Sequence, residues 1–143
     1  MRYFWISFSF ALYLFLSGCT YQEDPRAMAS NEIELTFDGL RCQPYESFIP
    51  MGEEIELTLI NNSDQLLAWY LIFLPFEGDF ENQDPENILA TFSSPANEES
   101  TYNFQAPYLP GKYSSFCVAD DDFDNLALTY ILVVQPYQEN SQP

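Results

Sequence analysis

Apolar residues return at every second position in two stretches of the chain. Residues 32–37 read Glu-Ile-Glu-Leu-Thr-Phe and set Ile33, Leu35 and Phe37 on one face, with acidic and polar side chains on the other. Residues 54–59 read Glu-Ile-Glu-Leu-Thr-Leu and do the same with Ile55, Leu57 and Leu59. A period of two is the period of extended backbone, so each stretch predicts a strand with one buried and one solvated face. Residues 66–74 are apolar at both parities, which predicts a strand needing cover on both sides. Further strands are predicted over 101–104, 112–118 and 128–134. Asn61-Asn62-Ser63-Asp64 forms a turn cluster, and Pro107, Pro110 and Gly111 punctuate the approach to residue 112. Only the stretch around 84–89 reads as a helical turn. Seven or eight short strands separated by turn signals predict an all-β, Greek-key β-sandwich over residues 32–136.

The ends of the chain follow no such pattern. Arg2 precedes an uncharged apolar run over residues 3–16. A membrane-spanning helix needs about 20 apolar residues, so the run is too short to be a good one. It closes on Leu16-Ser17-Gly18-Cys19, the arrangement of a bacterial lipobox: small residues for the signal peptidase, then a thiol that takes diacylglycerol. Residues 1–18 are therefore expected to be a lipoprotein signal peptide, with Cys19 the lipid-attachment residue. An ordinary signal peptide with a chance cysteine, or an N-terminal anchor helix, is the alternative. Residues 19–31 read as a flexible, lipid-anchored tether and residues 137–143 as a polar tail. The expected location is the cell membrane or outer membrane, facing the periplasm or the exterior.

Charge narrows the partners. The formal net charge is −18, from 22 acidic residues and four cations. All the acids lie beyond the signal, whose removal leaves Arg26, Arg41 and Lys112 as the only cations. Such a surface repels nucleic acid and anionic headgroups, so no nucleic-acid partner is expected and the membrane must be reached through the Cys19 lipid. Aromatic residues make up 17% of the chain, which argues against disorder and for a packed domain.

Candidate chemistry is sparse. The chain has no histidine for general-base work. It has no Gly-rich phosphate loop, and no nucleophile motif accompanies Lys112, its only lysine. No enzymatic activity and no cofactor is expected. Asp120, Asp122 and Asp124, in the run Asp-Asp-Asp-Phe-Asp, are a candidate Ca²⁺ site because that ion takes several oxygen ligands. The run lacks the turn glycine and distal glutamate of an EF-hand loop, and a solvated loop is the alternative. Tyr70, Phe76 and Phe80 are a candidate patch for an envelope protein partner, should they stand exposed together. The alternative is that residues 76–92 fold back over the strand carrying Tyr70. With Cys19 lipidated, Cys42 and Cys117 remain as a pair in an oxidising compartment. They read as a disulfide, with two buried free thiols as the alternative.

The order and spacing of several short motifs resemble the cupredoxin family over most of residues 32–135. Cys42-Gln43-Pro44 followed by Met51-Gly52-Glu53 is similar to that family's Phe-x-Pro and downstream Gly-Glu. Asn62 stands ahead of the Trp69 strand, and Phe104-Gln105-Ala106-Pro107, then Pro110-Gly111-Lys112-Tyr113, lead to Cys117 as the family's motifs lead to its ligand cysteine. The resemblance implies a type 1 copper site of two imidazoles, a thiolate and an axial thioether. Its first histidine position is Leu67 here, the thiolate position is Cys117, the second histidine is Asp122 and the axial methionine is Ala127. Without histidine no shift of alignment restores the site, so a copper-free binding or structural module is expected. A copper or redox electron-transfer protein is the reading that rests on fold analogy alone. The resemblance also puts Cys42 on a strand near Cys117, which implies a covalent bond between them in place of the metal.

Overall fold

A computed structural model describes residues 25–73 and 85–135. Among the described residues nine strands form two sheets. They are β1 (Glu32–Phe37), β2 (Cys42–Gln43), β3 (Glu46–Pro50), β4 (Glu54–Asn61), β5 (Leu67–Ile72), β6 (Ile88–Ser94), β7 (Glu99–Gln105), β8 (Gly111–Ala119) and β9 (Ala127–Val134). One sheet has the order β2-β1-β4-β7 and the other β3-β9-β8-β5-β6. The pairs β1–β4 and β3–β9 are parallel and the remaining neighbours antiparallel. This is the expected all-β sandwich.

The count exceeds seven or eight for a local reason. Pro44 offers no N–H to a ladder, and the chain changes sheets around it, so β2 and β3 are separate short strands on different sheets. Both are edge strands, and Pro50 is tolerated at the end of β3 for that reason. The helical turn expected near 84–89 is a short 3-10 turn at Pro85–Asn87, after which the chain extends at once into β6.

The alternation in β1 and β4 does what a period of two requires. Ile33, Leu35, Phe37, Ile55, Leu57 and Leu59 are all buried between the sheets, while Glu32, Glu34, Glu54 and Glu56 point to solvent. From the other sheet Leu67, Trp69, Leu71, Cys117 and Ile131 meet them in one core. Trp69 is stacked 6.1 Å from Phe92 and tilted 5.9 Å from Phe104, and its Nε1–H is buried without a hydrogen-bond partner.

β5 is apolar at both parities because its sheet is covered on both faces. Ala68 and Ile72 turn away from the main core and join Phe116 and Val118 in a second buried cluster. Phe123 and Leu126, from the connection between β8 and β9, pack against that cluster with Tyr70, Ile88 and Leu128.

Candidate functional site

The strand ends gather Cys42, Cys117 and the other positions that the resemblance assigns to copper ligands at one end of the sandwich. There β1 and β4 finish in register at Phe37 and Asn61, β5 begins at Leu67 opposite Ala119, and Ala127 stands opposite Cys117. Cys117 is fully buried on the central strand β8, and Cys42 lies on β2 at the rim of the other sheet. The two are joined as a disulfide with a Cα–Cα distance of 6.3 Å and a sequence separation of 75. The bond therefore crosses the core and ties the two sheets together.

The other positions that the resemblance assigns to copper ligands are filled as follows. Leu67 is fully buried in the main core, in register with Ala119 rather than beside an open coordination position. Ala127 is half-buried at the start of β9 and carries no donor atom. Asp122 is exposed: its Oδ1 accepts from the Asp124 N–H at 3.2 Å and its Oδ2 from Asn125 Nδ2 at 2.8 Å. A type 1 site needs two imidazoles and a free thiolate. This chain has no imidazole, and its one sulfur at a ligand position is bonded to another sulfur. The donor set does not fit copper.

The acidic loop is held by hydrogen bonds within itself and to Leu66. Asp120 exchanges two hydrogen bonds with Leu66: its N–H donates to the Leu66 carbonyl at 2.9 Å, and its Oδ1 accepts from the Leu66 N–H at 2.9 Å. Asp120 and Asp121 adopt positive φ values of 47° and 60°, which aspartate accepts more readily than most residues. Asp120, Asp122 and Asp124 form no cage. Among the described residues no three His, Cys, Asp or Glu side chains converge as a metal site. The carboxylates of Asp120 and Asp122 instead hold the turn that brings Phe123 over the outer apolar cluster.

Of the expected partner patch, Phe76 and Phe80 lie outside the described residues. Tyr70 is half-buried, stacked on Phe116 at 5.2 Å and tilted against Phe123 at 6.0 Å. Burial pushes its phenol above the ordinary tyrosine range, with the nearby Asp121 carboxylate adding to the effect. Its ring is a packing element on the outer face of the sheet. Cys19 also lies outside the described residues, and no described helix is long and apolar enough to cross a membrane.

Two features of this end went unread in the sequence. The first is Asn61, which is 1% exposed and donates through Nδ2 to the carbonyls of Gln65 (2.8 Å), Ser94 (3.1 Å) and Pro95 (2.9 Å). Its Oδ1 accepts from the N–H (3.0 Å) and hydroxyl (2.7 Å) of Ser63. One amide thus ties the β4–β5 turn to the β6–β7 turn. The signal was available: Asn61 continues the inward parity of Ile55, Leu57 and Leu59, although it sits inside a string of turn formers.

The second is a half-open groove of about 320 Å³ lined by Leu40, Arg41, Cys42, Gln43, Tyr45, Ala127 and Leu128. Its rim is the turn after β1, where Asp38 Oδ1 accepts from the N–H groups of Leu40 (2.9 Å) and Arg41 (2.8 Å). Those bonds hold the Asp38 carboxyl below its usual range. Gly39 has φ +97°, where an L side chain would be strained. The turn leaves Leu40 85% exposed and Tyr45 59% exposed. Tyr45 packs edge-on against Tyr130 at 5.3 Å, and its phenol is raised by a hydrogen bond with that residue. Lys112 Nζ lies 3.7 Å from the centroid of the Tyr130 ring and 3.0 Å from Glu46 Oε1, which raises the ammonium above the ordinary lysine value.

Solved structures place this architecture. Auracyanin from Roseiflexus castenholzii superposes with a TM-score of 0.62 at 20% identity, over 74% of this chain and 98% of that one. Auracyanin A, a blue copper protein from Chloroflexus aurantiacus, gives 0.61 at 22% identity over 72% and 98%. Rusticyanin from Thiobacillus ferrooxidans gives 0.51 at 16% identity over 74% and 79%. No protein-family profile matches the chain, and no curated protein matches it. The domain shares the two-sheet β-sandwich fold of these structures. The fold is cupredoxin-like, and the chain has no histidine to supply the imidazoles of a type 1 copper site.

Proposed function

We propose that this protein is an exported, lipid-anchored module of the cell envelope that uses a cupredoxin-like sandwich for binding or structure, without copper electron transfer or catalysis. The observation that carries this reading is the Cys42–Cys117 bond. It occupies the sulfur that a copper thiolate site would need, in a chain with no histidine to complete one. The lipobox-like Leu16-Ser17-Gly18-Cys19 supports the anchor, and the density of acids supports a protein rather than a nucleic acid as partner.

The test is metal analysis of the purified mature protein, with a copper titration followed by visible absorption. The expected result is no stoichiometric metal and no thiolate–copper band. Stoichiometric copper with that band overturns the reading. For the anchor, the Cys19→Ala variant is expected to leave the membrane fraction, and mass spectrometry of the native protein to show diacylglycerol on Cys19.

A further inference from the structure

The disulfide presents its two sulfurs to different surroundings. Cys117 is fully buried on the central strand β8, between β5 and β9, in the main core. Cys42 belongs to a two-residue edge strand and forms part of the groove wall, with 6% of its surface exposed. Thiol–disulfide exchange requires the attacking thiolate to reach one sulfur from the side opposite its partner. Both cysteines belong to the main core cluster, but of the two only Cys42 lines the groove.

The walls of the groove suit a cysteine carried on a peptide. Leu40, Tyr45, Ala127 and Leu128 offer apolar surface, and Gln43 a side-chain amide. Arg41 adjoins Cys42 and is exposed. In a chain of formal charge −18, that guanidinium, shared with the neighbouring Asp38 carboxylate, is the cation of the groove wall.

We infer that this groove is the docking site of a dithiol–disulfide exchange protein, and that Cys42 is the sulfur through which the Cys42–Cys117 pair is oxidised and reduced. In oxidation the Cys42 thiolate attacks the partner's disulfide, forming a mixed disulfide and releasing one partner thiolate. Cys117 then gives up its proton and its sulfur attacks Cys42 Sγ, releasing the second partner thiolate. Two electrons pass from the pair to the partner, and two protons restore its thiols. Reduction is the reverse: a partner thiolate attacks Cys42, and Cys117 leaves and is protonated. Cys117 never bonds to the partner.

The experiment compares two folded single-cysteine variants, Cys117→Ser and Cys42→Ser, against oxidised glutathione under native conditions. Mixed disulfide is expected to form on Cys42 on the order of a hundredfold faster than on Cys117. Arg41→Glu in the Cys117→Ser background is expected to slow the reaction about tenfold. Equal rates on the two sulfurs, or no effect of Arg41→Glu, overturn the proposal. A second measurement needs neither variant to fold. The wild-type disulfide is challenged with a thioredoxin-type protein whose resolving cysteine is serine, and the trapped adduct is mapped by mass spectrometry. An adduct on Cys42 supports the assignment. An adduct on Cys117, or none under native conditions when the denatured protein reacts, sinks it.

Discussion

The two sheets of this sandwich share one core and differ in what they show outside. The four-stranded sheet turns Glu32, Glu34, Glu54 and Glu56 to water, and in its parallel register Glu32 stands directly beside Glu56. The five-stranded sheet turns out Ala68, Ile72, Phe116 and Val118, then covers them with Phe123 and Leu126. One sheet is half of a two-layer structure, and the other is the middle of three. The sequence difference behind this is small: strict alternation in β1 and β4 against unbroken apolar character in β5. A sheet with a solvated acidic face is held by its inner side chains alone. A sheet with a second apolar face gains stability from both sides, and the long β8–β9 connection is shaped to supply the cover.

Breaking the link between the sheets is expected to have the largest effect. Replacing both Cys42 and Cys117 by serine, or reducing the bond, removes a cross-link whose loop entropy is about 4 kcal/mol. A large fall in the denaturant midpoint, with little change in far-ultraviolet circular dichroism at low denaturant, is the expected outcome. The next prediction contrasts the outer faces directly. Phe116→Ala, on the covered face, is expected to cost about 3 kcal/mol, and Glu56→Ala, on the solvated face, no more than about 0.5 kcal/mol. Equal losses in chemical denaturation would mean that the faces do not differ as described.

High pH separates the faces with a smaller effect. Tyr70, on the covered face, has a phenol raised by burial, as does Tyr113 on β8. A group whose folded value lies above its unfolded value keeps its proton in the folded state after the unfolded chain has lost it. The stabilisation it gives is therefore whole below the ordinary tyrosine value near pH 10 and is lost as pH rises through the folded value. Thermal midpoints are expected to fall above about pH 10, and Tyr70→Phe to flatten that fall. Salt should give the smallest response. Raising ionic strength is expected to lift the midpoint slightly by screening Glu32 from Glu56, and Glu56→Gln to reduce that lift.

Much of this was legible in the chain because one physical rule dominates it. Where one face is buried and the other wet, the period of two is printed in the sequence, and β1 and β4 were read from it correctly. The motif order around Pro44, Pro107 and Pro110 pointed to the cupredoxin class, and the cysteine count to the Cys42–Cys117 bond. What escaped was set by tertiary context. From Ile88 to Ser93 β6 alternates between half-buried and exposed residues, and its one buried residue is the polar Ser94, so the strand carries a faint signal. Asn61 is polar at an inward position, and its meaning depends on carbonyls supplied by Gln65, Ser94 and Pro95 after the turns have formed. The groove at Cys42 arises from the meeting of the β1–β2 turn with the start of β9, two places far apart in sequence. The acidic loop looked like a collection of ligands, but the Asp122 carboxylate is committed to the loop itself and the Asp120 carboxylate to the backbone of Leu66.

The disulfide also sets how the protein bears a mechanical load. Because Cys42 and Cys117 are 75 residues apart, a force drawing the two ends of the chain cannot lengthen the segment between them. At about 3.4 Å per residue, that withholds about 250 Å of extension until the bond is reduced. β4, β5, β6 and β7 all lie inside the closed loop, while β1 and β9 lie outside it and take the strain first. Pulled from its ends in an oxidising compartment, the domain would yield only a short outer length.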